Sequence, residues 1–266
     1  MDKIGVLWGV LALLVFACHS GAGKADDKPV DRKPPETPGN ISFIFPPKGY
    51  AHDHRDQLIQ DCLDGIRHDL QIINQRAFTD TFTIRFLDTR EEMKLYTGFP
   101  AGGVTIVQAQ KIIYYVVNEK EGAPIDHELM HMITMAGWGY PDATSVWMKE
   151  GLAAFSQNSC NGYNDEQIYR YLSVNRMLAP MDSLVNQFYQ EPEMIAYHQA
   201  ACIVEYLLKN YGVERFRDLW QQGFNKFNEI FGTSFSHMEA DIKRAAERDY
   251  PKAPNIDWKA FSIGCY

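Results

Sequence analysis

Asp126-His127-Glu128-Leu129-Met130-His131 is the stretch whose reading decides the rest of the chain. On a helix, His127 and His131 are four residues apart and stand one turn above the other on the same face. Two imidazoles so placed can share one metal ion. Glu128 is rotated by one residue and can point at a water held on that ion. This is the HExxH arrangement, in which a Zn²⁺ with an open coordination position and a carboxylate base make hydroxide near neutral pH.

Such a site needs a third protein ligand. Trp147-Met148-Lys149-Glu150-Gly151-Leu152-Ala153 places a carboxylate on the next expected helix, with eighteen residues between His131 and Glu150. The turn Gly137-Trp138-Gly139-Tyr140-Pro141 lets that helix fold back on the first. His127, His131 and Glu150 then complete a His₂Glu set for one Zn²⁺ per chain. The competing reading is two ordinary histidines on a half-buried helix, with Glu128 and Glu150 as solvated charges.

The pairing of HELMH with WMKEGLA resembles the gluzincin zinc metallopeptidases, in particular the M1-like branch with its W-x-x-E-G-[FL]-A signature. The resemblance implies an α+β, thermolysin-like zincin domain with a small N-terminal mixed sheet and a mostly helical C-terminal half. It also implies zinc-dependent peptide-bond hydrolysis on a peptide or protein substrate, with Glu128 as the base. Tyr197-His198-Gln199-Ala200-Ala201 resembles the Y-E-K-G segment downstream of the zinc glutamate in that family. There the tyrosine donates a hydrogen bond to the developing oxyanion, a role that falls by position on Tyr197, with His198 as the alternative.

The departures carry information as well. No G-x-M-E-N segment precedes HExxH, so the glutamate that holds a substrate's free amine in aminopeptidases is missing, which favours an endopeptidase. Lys149 stands where an Asn is common. Ala154 stands four residues after Glu150, where thermolysin-type relatives place an Asp that supports a ligand histidine, so that support must come from elsewhere. Two other readings stay open. One is a binding or scaffold lipoprotein on a gluzincin fold, and the other is a zinc hydrolase of a non-peptide amide or ester.

The 266 residues are 45% hydrophobic and 23% charged, an ordinary globular composition. The net charge of −8, with no basic stripe, argues against a nucleic-acid partner. Lys3 precedes an apolar run, Ile4 to Phe16, too short to span a bilayer comfortably and of signal-peptide length. It ends Val15-Phe16-Ala17-Cys18, which resembles a bacterial lipobox. Residues 1–17 are therefore expected to be a lipoprotein signal peptide, with plain secretion and a retained anchor helix as the other readings of the same stretch. Cys18 would carry the lipid that fixes the chain to a membrane of the bacterial cell envelope. Residues 18–40, rich in charge, Gly and Pro, read as a disordered tether. The folded domain is 41–266, strand-rich over 41–121 and helical over 122–266.

Of the five cysteines, Cys62 and Cys202 fall on apolar helix faces and read as buried thiols. A bridge between Cys160 and Cys265 would tie down the tail, although four cysteines allow three pairings. Strands are expected over 41–45, 79–88, 104–107 and 111–118, the last two as a hairpin. Helices are expected over 53–75, 89–96, 121–136, up to about 156, 167–174, 181–189, 194–211, 213–222 and 236–248. The histidines and aspartates at 52–56 suit a solvated first helical turn better than a metal cluster.

Overall fold

The computed structural model describes residues 41–108 and 110–265. Cys18, the expected signal peptide and the expected tether lie outside those residues. Among the described helices, none is long and apolar enough to cross a membrane. The architecture is α+β, a small mixed sheet followed by an almost wholly helical half.

Strand β1 (Ile41–Ile44) opens the chain, and helices α1 (Tyr50–Asp53) and α2 (Arg55–Ile72) follow. Then come β2 (Phe82–Leu87), α3 (Arg90–Thr97), β3 (Gly103–Ile106) and β4 (Ile112–Val116). The sheet order is β1-β2-β4-β3, with β1, β2 and β4 parallel and β3 antiparallel to β4. A parallel pair needs a long crossover, and α2 and α3 lie in those connections. The β3–β4 hairpin occupies the residues expected from sequence and makes β3 an edge.

Alternation along the hairpin sorts its side chains. Ile113 and Tyr115 enter the main core, whereas Val104, Ile106, Ile112, Tyr114 and Val116 pack with Leu87 and Met93 on the opposite face. Thr105 pairs with Ile113 in register. It therefore faces the main-core side, where the next helix lies.

That helix is α4 (Ile125–Trp138), and α5 (Val146–Ser156) folds back after it. Asp142 fixes the turn by accepting a hydrogen bond from the Thr144 backbone N–H at 2.8 Å. The helical half continues through α6 (Asp165–Val174), α7 (Met181–Gln187), α8 (Glu193–Gln222), α9 (Phe227–Phe231), α10 (Phe235–Asp249) and α11 (Trp258–Phe261). Gly212 interrupts α8 with φ 82° and ψ 165°, splitting it where the sequence ends one helix and begins another.

Three details add to the sequence reading. His54 breaks the first long helix into α1 and α2. The buried stripe of α2 runs through Leu58, Cys62, Ile66 and Leu70. It also includes Asp69, which is fully buried and has no hydrogen-bond partner among the described residues on either carboxyl oxygen. His52, Asp53 and Asp56 lie in the exposed first turns as expected.

Burial holds the Asp69 carboxyl well above the ordinary carboxylate range, and nearby Asp126 adds to the effect. A carboxyl with a higher pKa folded than unfolded binds its proton more tightly in the native state. Its contribution to stability is complete below the unfolded pKa of about 3.9 and is lost as pH rises toward the folded value. Asp69→Asn cannot ionise. Its stability relative to wild type, read from urea midpoints, is expected to increase as pH rises above about 4. A difference constant with pH would contradict the buried, protonated carboxyl.

Candidate metal centre

Helices α4 and α5 bring together the three residues that the sequence singled out. His131 Nε2 lies 3.1 Å from His127 Nε2. Glu150 Oε2 lies 3.2 Å from His131 Nε2 and 3.7 Å from His127 Nε2. The two imidazole rings stand perpendicular with centroids 4.7 Å apart. His131 and Glu150 are buried, and His127 is half-buried. These three residues form one of the groups among the described residues whose ligand atoms are close enough to hold a metal ion.

The donor set itself asks for a cation. Two imidazole nitrogens and a carboxylate oxygen converge on one point, where their lone pairs repel unless a proton or a metal lies between them. Burial alone would raise the Glu150 pKa, but His131, His127 and Lys149 outweigh it and hold the carboxyl well below its ordinary range. Burial likewise pulls His127 down, and hydrogen bonding to Glu150 with the charges of Glu128 and Glu150 more than reverses this. A set of two neutral imidazoles and one carboxylate fits Zn²⁺.

The two oxygens of Glu150 are divided between two tasks. Oε2 faces the histidines, while Oε1 accepts a hydrogen bond from Tyr189 Oη at 2.6 Å and lies 2.9 Å from Lys149 Nζ. Lys149 Nζ also donates to Tyr189 Oη at 3.1 Å. Beside Glu150 the Tyr189 phenol is pushed up to about 12, mainly by burial, so it remains a donor at neutral pH. Lys149, noticed in the sequence only as a departure, thus fixes the carboxylate orientation together with Tyr189. Tyr189 carries no sequence signal, because it lies 39 residues downstream in a 3₁₀ turn after α7.

The histidines are supported unequally. The Gln157 side chain lies close enough to His127 to add a small upward push to its pKa. His131 Nδ1 is buried and has no partner among the described residues.

Glu128 is buried but does not approach the other donors in a way that would make it a fourth ligand of the group. The Thr105 hydroxyl lies 2.7 Å from Glu128 Oε2 and 2.9 Å from the Glu128 carbonyl oxygen, and donates its one proton to either. The edge strand β3 therefore runs alongside the carboxylate. A Cβ on Gly103 of the same strand would stand 2.6 Å from Glu128 Cγ, so only Gly allows this approach. Nothing in the sequence marked Thr105.

Tyr197, on α8, stacks over His127 with ring centroids 6.1 Å apart and an interplanar angle of 22°. It also packs against Phe188, at 5.2 Å. Burial, reinforced by Glu150, holds its phenol far above the ordinary range, so it stays protonated. His198 does not share this site. The next residue on a helix is turned by about 100°, and His198 Nδ1 instead meets Asp165 Oδ1 at 2.8 Å on the other side of α8. His198 is therefore not the alternative to Tyr197 beside His127. Trp147 is fully buried and packs on Phe224, a core residue and not a surface for ligand.

No protein-family model, no curated protein and no solved structure matches this chain.

Proposed function

We propose that the chain is a zinc-dependent endopeptidase. The observation that carries this reading is the convergence of His127 Nε2, His131 Nε2 and Glu150 Oε2 beside a second carboxylate, Glu128, that is not a member of the group. A purely structural zinc site is closed by four protein ligands. Here three residues are gathered, and the remaining carboxylate is held in place by Thr105.

Zinc held by His127, His131 and Glu150 would supply Lewis-acid activation of a water and of the substrate carbonyl. The chain's own residues account for the rest. Thr105 orients Glu128, which takes a proton from the attacking water and passes it to the leaving amine. Tyr189 and Lys149 hold Glu150 so that one oxygen stays turned to the histidines. The protonated Tyr197 phenol, stacked over His127, is available to donate where negative charge develops on the carbonyl oxygen. Strand β3 is at the edge of the sheet and adjoins Glu128, so an extended peptide could pair with it as an added strand. The absence of an amine-binding G-x-M-E-N segment supports internal rather than terminal cleavage.

The test is digestion of a mixed peptide library followed by mass spectrometry. Cleavage at internal bonds, stopped by a zinc chelator and restored by Zn²⁺, is the expected result. Release of terminal residues only would overturn the endopeptidase assignment, and an untouched library would overturn the peptidase reading.

A further inference from the structure

A second cluster of ligand-type side chains lies in the smaller core formed by Cys160, Ile168, Leu172, Met194, Ile256 and Phe261. Cys160 and Cys265 are joined there by a disulfide. His198 projects into this core, buried, with Nδ1 2.8 Å from Oδ1 of the equally buried Asp165. One ring nitrogen is thereby committed to the carboxylate. The other, Nε2, faces the sulfur pair, 3.8 Å from Cys265 Sγ.

This is more than a disulfide needs. A bridge that only ties two segments together is served by apolar neighbours, whereas burying an ionisable His–Asp pair carries a desolvation cost. The wiring is that of a metal-binding histidine, whose second nitrogen is held by a carboxylate so that the first presents its lone pair in a fixed direction. The Cys160 and Cys265 sulfurs and His198 Nε2 all lie within 4.8 Å of one another.

We propose that reductive opening of the Cys160–Cys265 disulfide creates a second metal site, in which both sulfurs and His198 Nε2 bind a soft divalent cation such as Zn²⁺, with Asp165 orienting the imidazole. Two thiolates and one imidazole, with a position left for water, form a donor set suited to zinc. A dithiol supplies the two electrons. It becomes a cyclic disulfide as the protein S–S bond becomes two thiols. Each thiol then gives up its proton as its sulfur binds the cation, and His198 binds as the neutral ring with its proton directed at Asp165.

The surroundings allow the sulfurs to separate. Cys160 is buried and fixed by paired backbone hydrogen bonds with Tyr163. Cys265 is exposed and follows Gly264, whose φ of 141° is a conformation open to glycine and whose carbonyl accepts a hydrogen bond from Asn161 Nδ2 at 2.8 Å, so that opening the bridge moves Cys265 itself more than the chain before it. A cavity of about 210 Å³ lined by Ile195, Trp258, Ile263 and Gly264 adjoins this segment. The site shares no residue with the His127–His131–Glu150 group.

The two sites are told apart by ligand chemistry, so the full chain can be used. Co²⁺ is added to oxidised protein and to protein reduced with a phosphine, which takes up the oxygen of a water as it reduces the bridge. Only sulfur ligands give an intense sulfur-to-cobalt charge-transfer band in the near ultraviolet. The reduced protein is expected to gain that band and one further equivalent of cobalt, and the oxidised protein to lack both. The exposed-position variant Cys265→Ser should abolish the band, and His198→Asn should weaken cobalt binding by tenfold or more. Reduced protein whose two thiols react with an alkylating agent yet show no band would overturn the proposal. So would a band that survives in Cys265→Ser, because its sulfur would then come from elsewhere.

Discussion

Glu128→Gln is expected to lower peptide turnover by about 10²–10⁴-fold, the usual contribution of a positioned general base, while metal content stays at the wild-type level. The amide keeps the size of the side chain and an oxygen for the Thr105 hydroxyl, which lies 2.7 Å from the present carboxylate oxygen. What it loses is the ability to take a proton. The metal should be unaffected because Glu128 is not a member of the donor group His127, His131 and Glu150. Turnover and metal content measured on the same preparation check this. Turnover close to wild type would remove Glu128 from the chemistry. Loss of both together would make it a ligand or a structural residue.

The second large effect concerns stability. Glycine to alanine inside a helix ordinarily gains about 1 kcal/mol from backbone entropy. Gly151, the residue after Glu150, is expected to behave oppositely. A Cβ there would stand 2.7 Å from the Ala200 backbone carbon and 2.8 Å from its oxygen. Backbone cannot turn aside as a flexible side chain can, so α5 would have to move off α8. Overpacking of this kind costs about 1–3 kcal/mol, enough to outweigh the entropy gain. It would also displace Glu150 and Tyr197, which sit on those two helices. Gly151→Ala is therefore expected to lower both the melting temperature and the metal affinity. Gly137→Ala is the control, since its Cβ would meet only the Gln75 side chain at 3.8–3.9 Å, an ordinary contact. That variant should be neutral or stabilised. Thermal melts of the pair that moved in the same direction would contradict the tight α5–α8 contact.

The glycine also explains why part of the site was legible in the sequence. His127 and His131 are related by helical spacing alone, so four residues of sequence fix their common face. Glu150 requires only that one turn bring the next helix back, and Asp142 with Thr144 makes that turn. Gly151 belongs to the same short stretch because the helix that carries the ligand must touch the backbone of α8.

What the sequence did not reveal is long-range. Thr105 meets Glu128 across 23 residues, and Tyr189 meets Glu150 across 39. Neither residue type is unusual where it stands, and only the tertiary fold joins them. His198 went the other way. Adjacent to Tyr197 in the chain, it looks interchangeable with it, and the rotation between successive helical residues sends it to Asp165. Asp69 was passed over because a carboxylate interrupting an apolar stripe is normally at its edge, whereas here it is fully buried.

The measurement that bears most directly on the central proposal is elemental analysis of purified protein beside a Glu150→Ala variant. Close to one zinc per chain, sharply reduced in the variant, is the predicted result. It would establish that His127, His131 and Glu150 hold the ion together. Protein without zinc, or with zinc that does not depend on Glu150, would contradict the account and leave the cluster a buried network of hydrogen bonds.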